Sequence, residues 1–156
     1  MKRFTYWPQL FLGITFNYGL VLGWTSINPE INLIPLIFYF GAIFWTLAYD
    51  TIYGFQDIKD DEIIGLKSTS IKFKNKPKYF LVTCYIFMLS LFAVGGYFMK
   101  VHYSYFILLI LPMYHLFLYQ IKTFNTDNPE SYLKVFKSNN FFGLIIFINI
   151  LLTKNL

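Results

Sequence analysis

Long apolar stretches recur along this chain, at residues 8–26, 31–53, 79–99, 103–121 and 140–153. A helix needs about 20 such residues to cross a hydrocarbon core. In that solvent only helices and closed barrels leave no backbone N–H or C=O unpaired, so stretches of this length read as membrane helices; the fifth is short for a crossing. Of the 156 residues, 56% are apolar and 13% charged, about half the charged share of an ordinary soluble domain. The expected fold is all-α, a polytopic membrane helix bundle of about five transmembrane helices, with residues 1–156 forming a single membrane domain.

The same composition excludes a disordered chain. One cysteine, Cys84, excludes a disulfide framework and a cysteine-based zinc site. Lys2-Arg3 ahead of an apolar run looks like the start of a secretory signal, but no small-residue cleavage site follows, so the first stretch is kept as a mature helix. Proline at positions 8, 35 and 112 is tolerable in membrane helices, and the glycines inside the stretches are expected to permit close helix packing.

The net charge of +5 sits between or at the ends of the apolar runs. Nucleic-acid binding needs a basic soluble face or arm, which leaves the lipid bilayer as the partner and no nucleic acid. Eleven basic residues lie at the N-terminus, in 54–78 and in 122–139, against two elsewhere, Lys100 and Lys154. The positive-inside rule then puts the N-terminus and both long loops in the cytoplasm and the C-terminus outside, as five crossings require.

Five of the eight acidic residues fall between positions 50 and 62: Asp50, Asp57, Asp60, Asp61 and Glu62. A solvated loop of mixed charge is the plain reading. If the second apolar helix continues through the stretch, however, Asp57 and Asp61 stand one turn apart and Asp50 falls about 20° from Asp57. Like charges so stacked need a cation between them. Mg²⁺ suits them: it takes one or two carboxylates, keeps waters and bridges to phosphate oxygens. With Lys67, Lys72, Lys74, Lys76 and Lys78 just behind, the segment reads as a metal-diphosphate site. Asp50, at the end of an apolar run, is a functional candidate because an ionisable group there is costly.

The run Tyr49-Asp50-Thr51-Ile52-Tyr53-Gly54-Phe55-Gln56-Asp57-Ile58-Lys59-Asp60-Asp61, followed by Ile64-Gly65-Leu66-Lys67-Ser68-Thr69, closely resembles the second aspartate-rich motif of the UbiA membrane prenyltransferases. Within that family it is most similar to the 4-hydroxybenzoate polyprenyltransferases of ubiquinone synthesis. The resemblance also takes in Met1 to Thr5, Pro8-Gln9 and Leu12-Gly13 at the start, and Phe136, Asn139-Asn140 and Gly143 near the end. It implies a UbiA-like bundle in a bacterial inner membrane, its active face cytoplasmic, moving a polyprenyl group from polyprenyl diphosphate to the ring of 4-hydroxybenzoate with Mg²⁺. On that reading Asp57 and Asp61 are the catalytic metal-binding carboxylates, with Asp50 and Asp60 as supporting metal candidates. Lys67, Lys2, Arg3 and Tyr53 are the substrate-binding candidates.

Members of the family are considerably longer and carry an earlier N-D-x-x-D-x-x-x-D motif, a pattern this sequence does not contain. The chain therefore resembles the C-terminal portion of such an enzyme, a fragment or a half that works with a separate N-terminal half chain. The alternative is a non-catalytic UbiA-like membrane component, a decayed paralogue or scaffold. A transporter using the carboxylates as a cation path fits less well, because the polar cluster lies at a membrane edge. His102 and His115 are expected to pack or bond locally, and Cys84 to be buried. Trp7, Trp24, Tyr79 and Tyr103 are read as interface anchors.

Overall fold

A computed structural model describes residues 1–28, 30 and 32–154, which form helices and connecting turns with no strand among them. Residue 31, the expected start of the second stretch, lies outside the described residues. Four helical stretches are long and apolar enough to cross a membrane: Leu33–Gly54, Pro77–Phe98, Ser104–Thr123 and Pro129–Thr153.

The first apolar stretch is not one crossing helix, as the sequence suggested, but two short ones, α1 (Pro8–Phe16) and α2 (Tyr18–Thr25). Asn17 sits between them. Its side-chain amide donates to the Gly13 carbonyl at 2.8 Å and to the Thr46 hydroxyl at 2.7 Å, which ties the break to the next helix. The pair still runs the height of the bundle: Gln9 meets Thr69 at one end, and Trp24 borders the link after Phe98 at the other.

Helix α3 (Leu33–Gly54) is the centre of the bundle, and α6 (Pro77–Phe98) packs along it. Their contact is reciprocal. A Cβ at Gly41 would fall 2.7 Å from the Phe92 ring, and one at Gly95 would fall 2.7 Å from Phe38, so each helix presents a phenylalanine to the other's glycine. The expectation of close packing holds at these sites, whereas Gly19 and Gly23 meet nothing within 4 Å. Between α3 and α6 lie two short helices, α4 (Ile58–Ile63) and α5 (Thr69–Lys72).

The fourth stretch is segmented. Helix α7 (Ser104–Leu108) stops before α8 (Ile110–Tyr114) because Pro112 has no N–H to offer the Leu108 carbonyl. A π-helical stretch (His115–Gln120) and α9 (Ile121–Thr123) complete it. Helix α10 (Pro129–Lys154) begins eleven residues before the expected fifth span, so Lys134 and Lys137 lie on a helix rather than in a loop. The earlier start is legible afterwards in its buried stripe, Tyr132, Val135, Asn139, Phe142 and Asn149, spaced by three, four or seven residues. The core gathers Leu47, Ile52, Leu81, Tyr85, Met88, Leu116, Val135 and Phe142. Large side chains such as Phe87, Leu144 and Phe147 face outward, as a lipid solvent allows.

Candidate functional site

The acidic segment lies at the end of the bundle where α3 stops. The continuous helix expected through it does not form. After Gly54 the chain closes with three-residue bonds, Phe55 N–H to Ile52, Gln56 N–H to Tyr53 and Asp57 N–H to Gly54. The cause is tertiary: Phe55 is buried against the Phe124 ring, edge-on at 5.2 Å, and against Tyr132. Gly54 also lies where a Cβ would collide with the Ser70 hydroxyl. Asp50 therefore does not share one helix face with Asp57, although the charges of Lys2 and Asp57 both reach it.

Asp57 and Asp61 do stand one turn apart, now on α4, with the Asp61 N–H donating to the Asp57 carbonyl at 2.8 Å. Their environments differ. Asp57 is exposed at the N-cap position, its carboxylate making no cap bond, while Asp61 is 6% exposed. Lys2 answers that burial, its Nζ lying 2.7 Å from Asp61 Oδ2. Gly65, at φ 71°, ends α4 in the left-handed conformation, and the Leu66 N–H returns to the Asp61 carbonyl at 2.7 Å, a closure glycine adopts without steric penalty. The Lys67 N–H then donates to the Lys2 carbonyl at 2.7 Å, so the N-terminal segment is laced to the acidic loop.

Of the other expected residues, Asp60 is exposed in the first turn of α4 and Arg3 is exposed beside Lys2 in the sequence. The Lys67 ammonium lies 5.6 Å from the Tyr6 ring centre and that of Lys72 lies 4.4 Å from Trp7. Tyr53 is 41% exposed, its ring 4.8 Å from Phe136, which also meets Tyr49. An aromatic cluster thus adjoins the carboxylates.

Among the described residues no three His, Cys, Asp or Glu side chains converge on a metal-sized position. Of the Asp50/Asp57/Asp61 trio, Asp57 and Asp61 stand one turn apart at α4, Asp50 lies on α3 before the break after Gly54, and Lys2 pairs with Asp61. What α4 does present is hard-oxygen donors on consecutive turns, the kind that Mg²⁺ takes in ones and twos beside phosphate oxygens. The chemistry of these donors fits a hard divalent ion.

Two polar networks that sequence reasoning missed hold this end in place. Gln9, 4% exposed, accepts the Thr69 N–H at 3.0 Å, while Thr69 and Thr51 share a hydroxyl contact of 2.6 Å and Ser70 donates to the Thr51 carbonyl at 2.7 Å. Deeper in the bundle, the Asn139 side-chain oxygen accepts from the Trp45 indole at 2.9 Å and from Gln120 at 3.2 Å. Tyr85 donates to Gln120 at 2.5 Å, and His115 Nε2 lies 3.3 Å from the Gln120 amide. The π-helical stretch turns Gln120 into this network. Polar residues inside apolar runs were the available signal.

The chain is 44% identical to a mitochondrial 4-hydroxybenzoate polyprenyltransferase of Bos taurus and 42% identical to that of Homo sapiens, over 97% of this chain and 41% of each relative. It is 37% identical to 4-hydroxybenzoate geranyltransferase 2 of Lithospermum erythrorhizon, over 97% of this chain and 49% of that protein. The chain thus spans less than half the length of these relatives, in the C-terminal part of the polyprenyltransferases. No solved structure matches it. The profile of the UbiA prenyltransferase family matches residues 1–150, and the chain therefore belongs to that family.

Proposed function

We propose that this chain supplies the diphosphate-handling part of an enzyme that transfers a polyprenyl group from its diphosphate to the ring of 4-hydroxybenzoate. The observation that carries the reading is α4: Asp57 and Asp61 one turn apart at the end of the bundle, with Lys2 and Lys67 beside them. Residues 1–156 act as one membrane domain, and the remaining metal ligands come from outside these residues, in the rest of a longer polypeptide or in a separate N-terminal half chain.

Asp57 and Asp61 would hold Mg²⁺, with Asp50 and Asp60 in support. When bound, the ion would offset the charge of the departing diphosphate. The Lys2–Asp61 pair suits exchange: the lysine side chain is 40% exposed, and a pair open to water on one side is worth on the order of 1 kcal/mol or less. Lys2, released from Asp61, and Lys67 and Arg3 would bind the diphosphate or the benzoate carboxylate. In the transfer, the allylic C–O bond breaks and the diphosphate leaves with the electron pair. The aromatic faces of Tyr53 and its neighbours favour the cation, the ring carbon ortho to the hydroxyl forms the new C–C bond, and that carbon's proton is lost. The polyprenyltransferases of Bos taurus and Homo sapiens are mitochondrial, so a bacterial plasma membrane gains no support from them. The site faces the side of the membrane that carries the basic loops.

One observation favours the non-catalytic alternative: Asp61 is already neutralised by Lys2, as a purely structural carboxylate would be. The test is prenyl transfer in membranes given polyprenyl diphosphate, Mg²⁺ and 4-hydroxybenzoate, with this chain alone and co-expressed with a family N-terminal half. Product only on co-expression, lost in Asp57→Ala, is the expected result. A folded chain that gives no product in either arrangement is the scaffold instead.

A further inference from the structure

A second feature lies at the opposite end of the bundle from the carboxylates, where a cavity of about 630 Å³ opens beside the link joining α6 to α7. Its walls are mainly apolar, with Leu20, Phe38, Tyr105 and Ile150 among them. Its size is that of a site for a small organic ligand or part of a lipid.

Two details at this cavity are not those of simple packing. Lys100, on its lining, is at φ 54°, the one residue other than glycine with positive φ among those described. It closes α6, its N–H donating to the Tyr97 carbonyl at 3.0 Å and the Val101 N–H reaching back to Gly96 at 3.2 Å. Glycine takes this left-handed position without penalty and is the usual choice for it. Here the chain places a strained lysine at the edge of an apolar cavity. Secondly, Trp24 lines the same cavity and its indole Nε1 is buried without a hydrogen-bond partner. A buried donor left unpaired opposes folding, and an acceptor carried in by a ligand would satisfy it.

A largely apolar volume lined by Lys100 and by Trp24 with its unpaired indole, with His102 and Thr153 also on its wall, at the level where a membrane helix ends, matches one class of ligand. We propose that the cavity binds an acidic phospholipid of the bilayer, with an acyl chain in the apolar volume, the phosphate against Lys100 and an ester oxygen accepting from Trp24 Nε1. The site is independent of the carboxylate end and of the reading given to it.

The test is native mass spectrometry of the chain released from vesicles of mixed phosphatidylcholine and phosphatidylglycerol. The wild-type chain should retain phosphatidylglycerol over phosphatidylcholine about fivefold, the preference that one lysine near an anionic surface confers. Lys100→Gly should abolish that preference and raise the midpoint of thermal unfolding in phosphatidylcholine alone, since it removes a strained Cβ. Lys100→Gln, which keeps the side-chain bulk, should abolish the preference without the gain in stability. Trp24→Phe should lower retention of both lipids. Equal retention of the two lipids by the wild-type chain, no retained lipid, or an intact preference in both Lys100 variants would overturn the proposal.

Discussion

Asp57 and Asp61 share a helix and a motif but not an environment, and their substitutions should separate accordingly. The Asp57 carboxylate is exposed and caps nothing, so Asp57→Asn should leave stability within about 0.5 kcal/mol of wild type. If Asp57 holds the metal, the same change should cut prenyl transfer in an assembly containing this chain by about 100-fold or more. Unfolding curves and turnover measured on one preparation decide it, and unchanged turnover removes Asp57 from the metal site. Asp61 is different because it is buried against Lys2. Lys2→Met leaves that carboxylate without its counter-charge and should destabilise the chain by about 1 kcal/mol, toward the low end for a pair partly open to water. Adding Mg²⁺ should then restore stability to Lys2→Met and leave Asp61→Asn unaffected. Recovery in neither variant would mean that Asp61 serves the fold alone.

At the scale of helices, the α3–α6 contact rests on absent side chains. Gly95→Leu would drive a side chain into the Phe38 ring and should cost about 1–3 kcal/mol, the usual range for overpacking. Gly19→Leu, with nothing within 4 Å, should be neutral in the same thermal unfolding experiment in detergent; equal losses at both sites would point to backbone propensity rather than packing. The contrast also shows what the sequence carries and what it does not. Apolar length announces α3 and α6 to within a few residues, because a hydrocarbon solvent sets that length directly. The break after Gly54 is not announced, because it depends on Phe55 reaching Phe124 and Tyr132, residues far along the chain. The break at Asn17 depends likewise on Thr46. In the site, the one-turn spacing of Asp57 and Asp61 was legible because it is local, whereas the Lys2–Asp61 pair joins residues 59 positions apart. Gln120 and Asn139 carried no legible role for the same reason: their partners are brought by α3 and α6.

The arrangement of the whole molecule follows from charge and from the two ends just described. Residues 1–7, α4 and α5 gather at the end where α3 stops, and the C-terminal ends of α2 and α6 lie at the other, where Trp24 and Lys100 border one cavity. Because the bent α1–α2 pair runs from one end to the other, the chain traverses the bundle five times, although among the described residues four helical stretches reach crossing length. The parity inferred from the basic residues is thereby kept, even though two of the lysines counted as loop residues lie on α10. Membrane insertion by this charge pattern puts Ile63 and Tyr103 on opposite sides of the bilayer; both are strongly exposed, at 82% and 67%. Cys84 is buried, so its replacement by Ala gives a cysteine-free background at small cost to packing. Single cysteines at 63 and 103 in that background should react with a membrane-impermeant maleimide from opposite faces of sealed vesicles. The one at 63 should react from the side that carries the basic loops. Labelling of both from one face would break the five-crossing path, and with it the separation of the carboxylate end from the lipid cavity.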